Sequence, residues 1–310
     1  VAAPPHPLFS EAWLDYNQRQ WGAAALRVGY ALPGKELPRL DGVLFLTRRG
    51  QVFQPPMNPE IALELTPAVD KPGQAARDWL DLAPLLAVDL LRRGIHGSAT
   101  LPAQFTDARP LAWAGLRCGV RYTSVIPLPL ALAQTSESQV RKRIKKAQRE
   151  GYYTRAHASL TDVLACVVAS EQRQGFSYRV DRAAVAALQA ALGPATFRTY
   201  VAYAADGRPA SARIALFHPG GRALDWLAGT SEFALSSGAT QLTILAMLED
   251  LQADGASEFD FNGANLKSVA AAKANWGGQL TPLITVEQLN LRNLARDAWR
   301  MFKLWRRGAP

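Results

Sequence analysis

Three strand-like runs, a long helix and a further strand follow one another between Thr199 and Asn262. This order constrains the fold more tightly than any bulk property of the chain. Thr199–Ala204, Ser211–Phe217 and Arg222–Ala228 are joined by Asp206-Gly207 and by Pro219-Gly220-Gly221, so they read as an antiparallel meander. Residues Ser237–Ala253 then read as a helix leading to a strand at 258–262. There Glu258, Asp260 and Asn262 alternate with Phe259 and Phe261, the period of a half-buried strand. Asn262-Gly263 stops it.

A small-residue helical run (Ser268, Ala270, Ala271, Ala272) places Lys273 just before an aromatic–Gly–Gly ending, and Leu280–Val286 reads as a last strand. Acids at the end of a strand, followed one short helix later by a lysine, suit chemistry on an anionic or acyl substrate. A core strand with solvated charges is the plain alternative.

The first half shows a comparable order. A helix over Phe9–Trp21, with Ser10 as its cap, precedes strands at Ala24–Ala31, at Val43–Thr47 paired with Gln51–Gln54, and at Ile61–Thr66. A helix over Gln74–Arg93 carries apolar Leu80, Leu82, Leu85, Leu86 and Leu90, with Pro84 expected to kink or break it. His96–Ala103 reads as a strand, Ala108–Gly119 as a short helix and Arg121–Leu128 as a strand. Helices follow at Ser136–Glu150, Leu160–Gln174 and Asp181–Leu192. Each half therefore runs helix, meander, helix, strand, an internal repeat of fold without repeated sequence.

The chain has 310 residues, 48% of them hydrophobic, enough for two ordinary domains. No apolar run reaches the ~18–20 residues that span a bilayer. The start lacks the basic-then-apolar order of a secretory signal, so a cytoplasmic protein is the expectation. Cys118 and Cys166 sit apart in apolar surroundings and read as reduced core residues. The net charge of +9 is local: residues 137–150 carry +4 and residues 290–307 carry +5. A neutral body with two basic helices argues against a broad nucleic-acid face, and DNA is not expected as a partner. His6, His96, His157 and His218 form no ligand spacing, so no metal is expected. Gly-x-Ser-x-Gly, Walker and dinucleotide motifs are absent from the sequence.

Three ordered segments carry a family resemblance. RKRIKKAQREGYYTRAH (141–157) resembles the basic helix of Fem-type aminoacyltransferases and their relatives in the GNAT acyltransferase superfamily, closed by a Gly before a strand. FDFNGAN (259–265) resembles that family's strand ending in a Gly. KANWGGQLTPLITVE (273–287) resembles its Phe-Lys-x-x-Phe-Gly-Gly segment, with Ala272 standing where Phe is expected. The resemblance implies an α/β (α+β) fold of two GNAT-like domains, each a mixed, mainly antiparallel sheet flanked by helices. Residues 1–135 would form one, with the C-terminal helix 289–310 docked on it. Residues 136–288 would form the other and carry the motifs.

The implied activity is transfer of an acyl group from acyl-CoA or aminoacyl-tRNA to an amine in an inter-domain cleft. The acceptor would be an amine-bearing small molecule or cell-wall precursor. Lys273 would meet the substrate's negative charge or a developing oxyanion. Asp260 and Glu258 would take the amine's proton, with Asp225 on the preceding strand alongside. The loop before the long helix, with Ser236, Ser237, Gly238 and Ala239, occupies the place of a CoA pyrophosphate loop. It lacks the leading Gln or Arg and the first Gly, and simple capping explains its serines equally well.

Arg141, Lys145 and Arg149 share one helix face and, with Asn262 and Trp226, are the substrate-binding candidates. Val140, Ile144 and Ala147 make the buried stripe opposite. Such a face suits a tRNA acceptor end, a nucleotide-sugar pyrophosphate or a phosphopantetheine carrier; a solvated face is the alternative. The 290–307 helix sets Leu291, Ala295, Ala298, Phe302 and Trp305 against Arg292, Arg296, Arg300, Lys303 and Arg307. It fits a terminal helix docked on the first domain, the preferred reading, and also a helix on the inner membrane surface. The rival function is a non-catalytic basic adaptor that binds RNA or anionic membrane through these two helices.

Overall fold

The computed structural model describes residues 6–71, 73–289 and 291–306; Asn290 and Arg307 of the last basic helix lie outside them. The chain opens with α1 (Glu11–Trp21), β1 (Ala24–Ala31), β2 (Arg39–Leu46), β3 (Ala62–Thr66), α2 (Gln74–Arg93), β4 (Ala99–Thr100) and α3 (Arg109–Trp113). It continues with β5 (Arg117–Pro127), α4 (Leu132–Thr135), α5 (Ser138–Arg149), β6 (Tyr153–Ala156), α6 (Leu160–Gln174) and α7 (Arg182–Thr196). The meander β7 (Phe197–Tyr203), β8 (Pro209–Leu216) and β9 (Arg222–Thr230) precedes α8 (Ala239–Ala253) and β10 (Glu258–Asp260). Last come α9 (Lys267–Ala274), β11 (Gln279–Glu287) and α10 (Leu291–Arg306).

The chain divides into two compact units. One joins the residues up to Trp21 to Tyr122–Thr281; the other joins Gly22–Arg121 to the residues from Pro282 onward. The boundaries thus fall at 21/22, inside β5 and inside β11, whereas the sequence reading drew them at 135/136 and 288/289.

In the second unit, β1, β2 and β3 form an antiparallel meander with Ala24 opposite Leu46 and Val43 opposite Ala62. Helix α2 packs on it and runs through Pro84 unbroken, because Leu82, Ala83, Leu86, Ala87 and Leu90 keep one buried stripe on both sides of the proline. Leu80 and Leu85, expected on that stripe, face solvent. The expected 96–103 strand is only β4, since Gly97 turns the backbone to φ 81° and Pro102 offers no ladder donor. The 43–54 hairpin is reduced to a turn closed by a single Leu46–Val52 bridge.

The motif-bearing unit has strand order β5-β10-β9-β8-β7-β6. Two registers shape its centre. β9 and β10 run parallel for only three pairs, ending at Leu224 opposite Asp260. Asn262 (φ 54°) and Gly263 (φ 83°) then turn the chain away, so the strand expected to reach 262 stops at 260. β9 continues to Thr230 with no strand beside that edge among the described residues. On its other edge, Ile214 faces Leu227 but Ala215 faces Asp225, so Trp226 is the extra residue of a β-bulge.

Helices cover both faces. α6 begins at Ser159, whose hydroxyl accepts from the Thr161 N–H at 3.2 Å, and lies close on β8 and β9. A side chain at Gly229 would collide with the Cys166–Val167 backbone, so only glycine permits this approach. Cys166 is buried there, with its thiol pushed up to about 11 by burial. On the opposite face Val140, Ile144 and Ala147 of α5 join Leu242, Met247, Leu248, Phe259, Phe261 and Trp276 in one core, as the sequence stripe predicts. The helix expected from 136 begins at Ser138, because Ser136 is extended (ψ 148°) and separates α5 from the short α4 before it.

Candidate active site

The first two motif segments, and the third as far as Thr281, lie in one unit. The Glu137 N–H at the start of α5 donates to the Asn275 carbonyl at the end of α9, at 2.8 Å. Lys146 donates to the Ser236 carbonyl before α8, also at 2.8 Å. Gly238, at φ 91°, lies so close to the Arg143 carbonyl that no side chain fits.

Lys273 reaches back from α9 to the turn that ends β10. Its ammonium donates to the carbonyls of Phe261 (2.6 Å), Asn262 (3.1 Å) and Gly263, which uses all three protons. The Phe261 ring centroid lies 5.9 Å away and supplies the aromatic neighbour that Ala272 cannot. Burial pulls the ammonium below the ordinary lysine value, against the raising effect of Asp225 and Asp260.

Asp260 is buried and fully engaged. It accepts from the Thr123 hydroxyl, from the Asn262 N–H at 2.7 Å and from Arg222 at 3.4 Å. Burial raises its carboxyl, and the Thr123 hydrogen bond is the largest opposing effect. Glu258, on the same strand face, is held by Arg222 at 2.6 Å and is partly open to solvent.

Asp225 differs. It lies beside the bulge, one residue past the last β9–β10 pair, and pairs through one carboxylate oxygen with Arg213 of β8. Among the described residues its other oxygen has no hydrogen-bond partner, nor do Arg213 Nε and Trp226 Nε1. Burial raises this carboxyl as well, outweighing the lowering effects of Arg213 and Lys273. The Trp226 ring packs edge-on against Trp13 (5.7 Å), Tyr16 (5.4 Å) and Phe197 (5.9 Å). Tyr178 stands near enough for Asp225 to raise its hydroxyl, second to burial itself. Arg213 and Tyr178 were not singled out from the sequence. An arginine inside the apolar β8 run is the one signal that pointed to the first.

The other candidates lie around this centre in different states. Arg141 is turned inward, donating to the Ser136 carbonyl and, at 3.3 Å, to its hydroxyl. Lys142, Lys145 and Arg149 are exposed, have no ion-pair partner among the described residues, and line a depression of ≈530 Å³ with Gln148. The Ser237 hydroxyl is buried and spent in the loop, donating to the Ala234 carbonyl (2.8 Å) and accepting from the Ala239 N–H (3.0 Å).

This strand–bulge–splay unit matches a known family. The model of the acetyltransferase (GNAT) domain aligns with residues 135–268. FemX is 12% identical over 95% of both chains, with a TM-score of 0.64. The C-terminal DUF2156 domain of an Agrobacterium fabrum protein, named as a lysylphosphatidylglycerol synthetase, is 12% identical over 93% of this chain and 91% of its own. Its TM-score is 0.60. A tandem GNAT protein from the clavulanic acid biosynthesis pathway is 16% identical over 92% and 88%, with a TM-score of 0.50. No curated protein sequence matches the chain. At these identities the neighbours share the fold: mixed, mainly antiparallel sheets flanked by helices, in a tandem-GNAT-like arrangement.

Proposed function

We propose that the chain is an N-acyltransferase whose GNAT domain moves an acyl or aminoacyl group to a primary amine at the free edge of β9. The observation that carries this reading is the coincidence of the β9–β10 splay with Asp225, Asp260 and Lys273. Backbone groups of β9 beyond Leu224 lack a strand partner there among the described residues, and such groups can hold an acyl carbonyl as its oxygen gains charge.

The free oxygen of Asp225 takes a proton from the incoming ammonium; its raised pKa makes it a better base than an ordinary aspartate. The neutral amine then attacks the acyl carbon and the C–N bond forms; the C–S or C–O bond to the donor breaks, and the thiolate or ribose oxygen leaves with the second proton, lost by the attacking nitrogen. Asp260 and Lys273 hold the turn that keeps the splay open. Asp260 does so through Thr123, Asn262 and Arg222, and Lys273 through three carbonyls.

For the donor we favour an RNA-borne aminoacyl group over acyl-CoA. Helix α5 overlies Gly238, and the Ser237 and Ala239 N–H groups are satisfied inside the loop, which leaves a poor pyrophosphate cradle. The exposed Lys142, Lys145 and Arg149 suit a polyphosphate backbone instead. The donors separate in a thermal-shift measurement. Acetyl-CoA at millimolar concentration is expected to leave Tm unchanged. An aminoacyl-tRNA at about a hundred times its Kd stabilises by about 2.7 kcal/mol, a rise of a few degrees. A rise with acetyl-CoA and none with aminoacyl-tRNA would assign acyl-CoA as donor.

A further inference from the structure

Helix α10 is used by nothing in the transfer chemistry. Its sequence sorts into two faces: apolar positions 291, 294, 295, 298, 301, 302 and 305 on one, basic positions 292, 296, 300, 303 and 306 on the other. Leu294, Trp299 and Met301 are 48%, 57% and 68% exposed, so the apolar side is not spent on the protein's own core. Trp299 sits where the apolar face meets the basic one. Its ring stacks on Phe302 at 5.9 Å and lies 5.3 Å beneath the Lys303 ammonium, presenting an aromatic surface and a cation side by side.

We propose that α10 is an interfacial helix that lays this face on an anionic lipid bilayer. An amphipathic helix with an aromatic belt and a net charge of +5 over 290–307 is complementary to such a surface in both respects. A neutral protein groove would match the apolar stripe and leave the charge unanswered. RNA would match the charge and leave exposed Leu, Met and Trp in water. No helix of the described residues is long and apolar enough to cross the membrane, so the contact is peripheral. The proposal goes beyond the acyl-transfer reading and does not depend on it.

The test is co-sedimentation of the full chain with phosphatidylcholine vesicles with and without phosphatidylglycerol. Binding is expected only with the anionic lipid. It should fall about tenfold or more when the screening length drops from about 8 Å at physiological salt to about 3 Å at 1 M. Leu294→Glu with Met301→Glu should weaken binding by about tenfold or more while leaving Tm unchanged. Trp299→Ala gives a second, milder variant should the double substitution unfold the chain. Equal binding to neutral vesicles, no binding to anionic ones, or unaltered binding by both variants would overturn the proposal. So would a dimer in sedimentation velocity, or tRNA binding, that the same substitutions abolish.

Discussion

Lys273→Met is expected to reduce acyl transfer by about a hundredfold, the scale on which a misplacement of about 1 Å at the reacting groups acts. The thioether fills much of the lysine's volume but gives no donors to the carbonyls of Phe261, Asn262 and Gly263. Three carbonyls that converge on one ammonium would then repel one another, and the turn would relax. Charge-assisted hydrogen bonds contribute about 1.5–3 kcal/mol each, offset here by the cost of burying the ammonium. We therefore expect a net loss of stability of about 2 kcal/mol, small beside the loss of rate. The loss should appear in kcat more than in KM, because the lysine's protons are committed to the protein. Lys273→Arg should restore part of both. A Lys273→Met protein with undiminished turnover would remove the turn from the mechanism.

The second large effect concerns the Arg213–Asp225 pair. Asp225→Ala leaves the largely buried Arg213 side chain, 12% exposed, without its counter-charge, and breaking such a pair typically costs about 3–5 kcal/mol. Pairing it with Arg213→Met should recover most of that stability and none of the transfer, which separates the structural role of the pair from the proton-accepting role of Asp225. Two-state chemical denaturation of the three proteins checks the first part, and turnover checks the second. A double variant as unstable as Asp225→Ala would contradict the stated origin of the cost.

The pH dependence of that pair has a definite sign. The folded-state pKa values of Asp225 and Asp260 are raised above the ~3.9 of an unfolded aspartate, so the folded protein holds these protons more tightly. Their contribution to stability is complete below the unfolded value and is lost as pH rises through the folded values. Unfolding free energy measured above about pH 4 should therefore carry a descending component in the parent. That component should be smaller in the Asp225→Ala, Arg213→Met protein.

Much of this centre can be read from the sequence, for identifiable reasons. The meander, its two turns and the helix after it are written in apolar runs and Gly/Pro punctuation, and β7, β8, β9 and α8 fall within a few residues of the expected positions. The buried stripe Val140, Ile144, Ala147 follows from helical period alone. What the sequence conceals depends on register. That Arg213 meets Asp225, and that Trp226 is displaced, follows from one extra residue in β9, which no local pattern announces. Lys273 is conspicuous in the sequence, but its partners are main-chain carbonyls, which have no sequence signature. The left-handed Asn262 that ends β10 early is equally silent, since an asparagine before a glycine suits several turns.

The most direct measurement is a crystal structure with a non-transferable donor analogue, an aminoacyl group in amide linkage to a terminal adenosine. The acyl carbonyl is predicted within hydrogen-bonding distance of the β9 backbone between Asp225 and Thr230, with room for the acceptor amine between its carbon and the free oxygen of Asp225. An acyl group bound elsewhere, with that edge of β9 still empty, would contradict the assignment of the active site.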